Sequence, residues 1–155
     1  MIKYRKFSDK DVKDVARLMP RVYKEFNNKE ASPEKIQEFS DSMDPKKNSN
    51  KELLKKIKRP LFFVATEKGK IIGIIRGMPD SLTSLFVEGK YHKQGIGKKL
   101  FEFFQKEAIK QGSKSIKVRA SLFATSFYQK IGFKKTTGQR RFQGMAIYSM
   151  KKTLK

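Results

Sequence analysis

The fold of this chain is decided by one stretch, which reads Leu85-Phe86-Val87 and then Tyr91-His92-Lys93-Gln94-Gly95-Ile96-Gly97-Lys98-Lys99-Leu100. Its start predicts a strand, and its end predicts an amphipathic helix. Gly95 and Gly97 have no side chains, which allows the backbone to come close to an anion. The N–H groups of a first helical turn have no partner inside the helix and lie at the positive end of its dipole. The stretch therefore predicts a site for a phosphate-bearing cofactor.

Two common phosphate-binding loops do not fit this spacing. The ATP-type P-loop requires a glycine where His92 stands and a Ser or Thr where Lys99 stands. The dinucleotide fingerprint beginning at Gly95 requires a third glycine where Leu100 stands. The turn is thus either a phosphate loop of another kind or a glycine turn that caps an ordinary helix.

A second motif lies one helix and one strand further along and reads Ala124-Thr125-Ser126-Phe127-Tyr128-Gln129-Lys130-Ile131-Gly132-Phe133. Taken alone, it predicts a short helix that ends at Gly132 in a left-handed cap. Together the two motifs resemble those of the GNAT family of N-acyltransferases. The acetyl-CoA signature of that family is Gln or Arg, two residues, Gly, one residue, and Gly or Ala, and here His92 takes the Gln/Arg place. The later family motif has an Ala, an aromatic-Tyr pair and then Gly-Phe.

The resemblance implies an α/β (α+β) fold with a mixed, mostly antiparallel sheet flanked by helices, in the order β-α-α-β-β-β-α-β-α-β-β. It implies an acetyl-CoA-dependent N-acetyltransferase that moves the acetyl group directly to a primary amine of a small molecule or peptide. Tyr128 matches the family tyrosine that can protonate the leaving thiolate, although its ring could instead pack only beside Phe127. No protein nucleophile is required.

The resemblance also implies which residues bind the cofactor. The backbone of Leu85, Phe86 and Val87 would pair with the pantetheine arm, and an N–H near Val87 would face the thioester oxygen. Main-chain amides would hold the pyrophosphate along Lys93, Gln94, Gly95, Ile96, Gly97 and Lys98. His92 and Ser121 are further candidates for cofactor contact, although we expect Ser121 mainly to cap the following helix. The general base is unassigned, because Glu88 and Asp80 are both expected to be solvated.

Composition places limits on the class of protein. The 155 residues, of which 37% are hydrophobic, suit one domain over 1–155. Apolar runs such as 61–65 and 71–75 are far shorter than the roughly twenty residues of a membrane span, and the N-terminus has no signal-like apolar region, so we expect a cytoplasmic protein without membrane association. The absence of cysteine and the single histidine exclude a thiol nucleophile and a histidine-rich metal site, and no metal is expected.

The formal net charge of +22 is the main compositional anomaly. Such an excess attracts polyanions at low salt. Lysines are nevertheless spread from Lys3 to Lys155 without a long basic block, so a solvated surface is favoured over a nucleic acid partner. The alternative to an enzyme is a non-catalytic acyl-CoA-binding or basic nucleic-acid-binding domain of the same fold. The sequence leaves open the acceptor and the choice between a monomer and a homodimer.

Local patterns predict the remaining elements. A capping-box spacing at Ser8 starts a helix with an apolar stripe that Pro20 could kink, and Ser32-Pro33 starts a second helix. Residues 44–50 predict a mobile loop before a short basic helix over 51–58. The predicted strands are 2–6, 61–66, 70–76, 83–87, 114–120, 133–137 and 142–150, with Gly73 a bulge or close packing point. The phosphate-turn helix is expected to end near Gln111.

Overall fold

The computed structural model describes residues 1–154 of the chain. The strands are β1 Ile2–Lys6, β2 Leu61–Glu67, β3 Lys70–Met78, β4 Ser81–Val87, β5 Ser115–Ser121, β6 Lys134–Phe142 and β7 Met145–Thr153. The α-helices are α1 Val12–Asn27, α2 Pro33–Met43, α3 Asn50–Ile57, α4 Ile96–Lys110 and α5 Thr125–Lys130. The elements follow the predicted order, except that the short basic helix α3 stands as an additional helix between α2 and β2.

The seven strands form one sheet in the order β1-β2-β3-β4-β5-β7-β6. Every neighbouring pair is antiparallel except β4 and β5, which run parallel. That parallel pairing is limited to Ser81 with Lys117 and Leu82 with Val118, at the start of β4. Beyond these residues the two strands separate, so the sheet opens into a cleft toward the C-terminal end of β4. The predicted mixed, mostly antiparallel sheet is confirmed.

Two hydrophobic cores cover opposite faces of the sheet. On one face α4 and α5 pack on residues that include Ile72, Ile75, Ile116, Val118 and Ala120. On the other face the predicted stripe of α1 packs with α3 against Phe62, Val64 and Ile74. In α4 the buried residues are Ile96, Leu100, Phe101, Phe104 and Ala108, which anchor the glycine turn in the first core.

Several local predictions are confirmed by hydrogen bonds and packing. Ser8 and Asp11 form the predicted capping box, and the Ser32 side chain accepts a hydrogen bond from Lys35 N–H at 3.2 Å. Gly73 follows a register shift in the β2–β3 hairpin, and a Cβ there would lie 3.3 Å from atoms of Phe86, Val87 and Leu100. It is therefore a close packing point beside a bulge. Among residues 1–154, no helix is both long and apolar enough to cross a membrane.

The end of the chain differs from the prediction. Phe142 was expected to start the last strand, but it ends β6, and β7 begins at Met145. The intervening Gln143 and Gly144 both have positive φ, 51° and 79°, which is the backbone of a tight type I′ hairpin turn. The sequence pattern missed this turn because glutamine is not a residue that favours a positive φ.

Candidate active site

The site begins at the unpaired edge of β4. Its residues Leu85, Phe86 and Val87 pair with β3 on one side, while the pairing with β5 on the other side ends at Leu82. Strand residues direct their main-chain groups alternately to the two sides, so part of this segment presents N–H and C=O groups to the cleft. An extended ligand can bind these groups as an added strand would.

The turn after β4 ends in a run of exposed amides. It passes through a single 3-10 turn, Gly89–Tyr91, and then through two residues with positive φ, Lys93 at 63° and Gly95 at 79°. Within residues 1–154, the main-chain N–H groups of 93–98 donate no hydrogen bond to protein acceptors in this turn or in the preceding loop. A Cβ on Gly95 would have no atom within 4 Å, so the space beside this residue of the turn is open. The arrangement fits a diphosphate.

His92 contacts both the end of β4 and helix α1. Its Nε2 lies 2.6 Å from the Val87 carbonyl oxygen. Its ring stacks on Phe26 of α1 at a centroid separation of 4.3 Å. The residue in the Gln/Arg place of the signature is thus tied to the end of β4, and its contact with a cofactor stays a prediction.

The two sequence motifs meet at Gly97. A methyl group on Gly97 would lie 3.3 Å from two ring carbons of Phe127 and 3.9 Å from the Leu85 side chain. A side chain here would press on Phe127, so glycine lets α5 pack this closely on the start of α4. The aromatic-Tyr pair of the second motif is thereby fixed beside the phosphate turn and the cleft.

Tyr128 lies in the core next to that contact. It is 4% exposed, and its ring makes edge-to-face contacts with Phe127 and Phe133, both at 5.3 Å. Burial raises the pKa of the Tyr128 hydroxyl well above its ordinary value. The hydroxyl therefore carries its proton throughout the physiological range.

Of the other polar residues considered, Ser121 and Glu88 are placed differently from expectation, whereas Asp80 is exposed as expected. Ser121 ends β5, and its Oγ accepts a hydrogen bond from Ala124 N–H at 3.2 Å, while the N-cap of α5 is Ala124. Ser121 thus stabilises the turn before the helix and is not its cap. Glu88 is buried at 8% exposure and paired with Arg21 of α1, so it is not the solvated acid that was expected. Asp80 is exposed at the far end of β4 from the phosphate turn.

Three contacts of the site were not predicted. Arg21 of α1 forms an ion pair with Glu88, and Phe26 of α1 stacks on His92. Glu30 accepts a hydrogen bond from Phe123 N–H at 2.6 Å. The last contact ties the loop after α1 to the loop after β5, on the two sides of the cleft. No local pattern could have shown these pairs, because their partners are 66 to 93 residues apart in the sequence.

The comparison with protein families settles the family. Residues 27–154 match the model described as an acetyltransferase (GNAT) domain, which covers most of the chain. The chain belongs to the GNAT acetyltransferase family. It is accordingly a GNAT-type acyltransferase, as the sequence predicted. Among proteins with curated descriptions, none matches this chain in sequence.

Solved structures of GNAT proteins share the fold over nearly their whole length. The PaiA N-acetyltransferase of Thermoplasma acidophilum, solved with coenzyme A, is 24% identical with a TM-score of 0.80, covering 99% of both chains. A GCN5-related N-acetyltransferase of Rhodopseudomonas palustris is 21% identical with a TM-score of 0.81, covering 98% of this chain and 95% of its own. The ribosomal-protein-S18-alanine N-acetyltransferase of Escherichia coli is 20% identical with a TM-score of 0.68, covering 99% and 94%. At these identities the likeness shows the fold.

The donor groups of the site suit an organic phosphate and not a metal ion. Over residues 1–154, no group of three or more His, Cys, Asp and Glu side chains is placed to hold a metal. The site instead offers main-chain N–H groups and an unpaired strand edge, which match a diphosphate and an amide-bearing arm.

Proposed function

We propose that this GNAT enzyme transfers the acetyl group of acetyl-CoA directly to a primary amine of a small molecule or a peptide. The observation that carries the proposal is the run of open amides at 93–98 directly beside the unpaired edge of β4. A cofactor with a diphosphate at one end and an amide-bearing arm at the other would use both features at once. Acetyl-CoA has this form and supplies the activated acetyl group as a thioester.

In this proposal the chain positions the reactants and stabilises charge. The free edge at Leu85, Phe86 and Val87 binds the arm, and a main-chain N–H near Val87 faces the carbonyl oxygen on which negative charge develops. The amine nitrogen bonds to the carbonyl carbon as the carbon–sulfur bond breaks, and the amine proton leaves to solvent. Binding both reactants in the cleft removes the entropic cost of bringing them together.

Tyr128 is the proposed proton donor to the departing thiolate. Its raised pKa keeps the hydroxyl protonated, so a proton is available to the departing sulfur, and solvent returns a proton to the phenolate afterwards. A purely structural tyrosine would place its ring in the same core contacts, so the geometry is compatible with both roles. A hydroxyl-specific substitution distinguishes them.

The test is Tyr128→Phe, with Tyr4→Phe on the edge strand β1 as the matched control. If Tyr128 donates the proton, kcat should fall by about 10² to 10⁴-fold with coenzyme A affinity unchanged. Tyr4→Phe should retain full turnover. Release of the free thiol under conditions where chemistry limits the rate, measured across pH with a panel of primary amines, gives the readout. Unchanged turnover of Tyr128→Phe at every pH would remove it from the mechanism.

A further inference from the structure

More than half of the net positive charge of this protein, +12 of +22, lies in its last third, because that third has no acidic residues. Residues 108–155 contain twelve of the 37 Lys and Arg residues and none of the 15 Asp and Glu residues. The sequence shows no long run of lysines there, because the basic residues alternate with others along the strands. Their grouping becomes apparent only when the strands are assembled.

Three lysines of this region form a row across the sheet. Lys117 of β5 is opposite Lys151 of β7, which is opposite Lys134 of β6. Directly paired residues of antiparallel strands point to the same face, and neighbouring strands lie ~4.8 Å apart. All three side chains are exposed. Arg119 is also exposed and shares this face by the two-residue alternation along β5. Arg140 is exposed and opposite Ile147, which lies on the same face as Lys151 by the alternation along β7. We name Lys117, Arg119, Lys134, Arg140 and Lys151 the basic sheet face.

The basic sheet face is not explained by folding. Like charges directly opposite one another on a sheet are destabilising. In the described part of the chain, no salt bridge reaches any of its five residues. Lysines on an edge strand can prevent edge-to-edge aggregation, which accounts for Lys134 on β6. That reason does not extend to Lys117 and Lys151, because β5 and β7 are paired on both sides over these residues.

An exposed aromatic ring lies within this charged surface. Phe142 at the end of β6 is 38% exposed, and the Arg119 guanidinium carbon lies 4.1 Å from its ring centroid. Cations that neutralise phosphates combined with an aromatic ring and guanidinium planes on a sheet are the features that bind unpaired bases of nucleic acids. The cations alone would serve an acidic protein as well, whereas the exposed ring on the same face favours a partner with unpaired bases.

We propose that the basic sheet face, with Phe142, binds single-stranded nucleic acid. This goes beyond acetyl transfer and uses a separate region, since Lys117 pairs with Ser81 at the closed end of the β4–β5 cleft. The five cations neutralise backbone phosphates, and Phe142 stacks on a base. Association then depends on salt, because each phosphate contact releases a bound counterion.

The test compares two triple variants that remove the same charge. One is Lys117→Gln/Lys134→Gln/Lys151→Gln on the basic sheet face. The other is Lys13→Gln/Lys55→Gln/Lys106→Gln, which removes exposed lysines from α1, α3 and α4. Fluorescence anisotropy with a labelled mixed-sequence 20-nucleotide RNA, its DNA counterpart and the corresponding duplex is measured from 50 to 300 mM salt, and inorganic polyphosphate binding is measured by competition. Circular dichroism melts and coenzyme A titration confirm that each variant is folded and that the cofactor site is intact.

We expect the face variant to bind the single strand at least tenfold more weakly at 150 mM salt. The slope of log affinity against log salt should decrease in magnitude by about 2, because each of the three lost phosphate contacts contributes roughly 0.7. The control triple should change affinity less than threefold. Phe142→Ala should weaken the oligonucleotide at least fivefold and leave inorganic polyphosphate binding within twofold.

The proposal is overturned if both triples weaken binding equally, because net charge alone would then explain it. It is also overturned if Phe142→Ala affects polyphosphate and oligonucleotide alike, or if duplex binds as well as the single strand. A failure to detect acetyl transfer would not contradict the nucleic-acid proposal, because coenzyme A binding is measured separately on the same variants.

Discussion

The two glycines at the ends of α4 give the sharpest test of the phosphate turn. Gly95 precedes the helix with φ at 79°, and Gly112 follows it with φ at 91°, and a Cβ on either would have no atom within 4 Å. The two positions therefore share the same strain and the same lack of steric conflict. They differ in that only Gly95 lies within the run of open amides at 93–98.

Alanine at Gly112 should destabilise the protein by the full strain of its position, and alanine at Gly95 by that amount or less. A residue other than glycine in the left-handed region costs about 1–2 kcal/mol. Gly112→Ala should lower the free energy of unfolding by about that amount in urea titrations, and Gly95→Ala should lower it by less to the extent that its turn leaves the left-handed conformation. For a chain of this length, each kilocalorie shifts the melting temperature by roughly 2–4 °C.

Only Gly95→Ala should weaken coenzyme A binding. The turn of this variant can relieve the strain by leaving the left-handed conformation. Ligand binding must then restore that conformation. At ~1.4 kcal/mol for each factor of ten, the full strain corresponds to about a five- to thirty-fold loss of affinity. The added methyl group also projects into the open space beside this residue of the turn. Titration calorimetry at near-physiological ionic strength measures the difference, with Gly112→Ala expected within twofold of the unmodified protein.

One result would refute this reasoning. If Gly95→Ala loses clearly less stability than Gly112→Ala, so that its turn has left the left-handed conformation, and yet binds coenzyme A within twofold of the unmodified protein, the left-handed turn does not hold the diphosphate.

Two further substitutions test the fold. Arg5 donates hydrogen bonds of 2.7 and 2.9 Å to Asp11 and holds the pKa of that carboxyl below its ordinary value. The stabilisation is therefore present at neutral pH and is lost as the pH falls through the folded pKa, so Asp11→Asn should cost about 1–2 kcal/mol at pH 7 and progressively less as the pH falls below the ordinary pKa of an aspartate. A constant cost at all pH values in urea titrations would contradict this. Gln143→Asn should stabilise the type I′ turn by a few tenths of a kilocalorie and raise the melting temperature slightly, whereas Gln143→Val should lower it.

Local patterns were sufficient for most elements of the fold. Strand β5 was predicted from strict alternation, and Ile116, Val118 and Ala120 are buried while Lys117 and Arg119 are exposed. The helix starts at Ser8 and Ser32 were predicted from capping residues, whose hydrogen bonds lie within a few residues of sequence. Such signals are readable because the interacting groups are neighbours along the chain.

The errors occurred where distant contacts decide the outcome. Glu88 was expected in solvent, but Arg21 and the packing of α1 bury it. Residues 44–50 were expected to be a mobile loop; the Asn48 side chain donates hydrogen bonds to the carbonyls of Asp41 and Asp44, and Lys56 of α3 donates to Asn48, while the mobility stays a prediction. The pairing of Arg21 with Glu88 could not be identified before α1 was placed on the sheet.

The amino-acid sequence by itself determined the glycine turn, the aromatic-tyrosine motif and hence the family, because a phosphate-binding turn depends on backbone conformation that glycine placement sets locally. Only the tertiary structure decided that β4 and β5 separate after Leu82, that Phe127 packs against Gly97, and that Lys117, Lys134 and Lys151 form one row. The physical reason is strand pairing: register between strands far apart in sequence is fixed by the burial of whole faces, and no single segment encodes it.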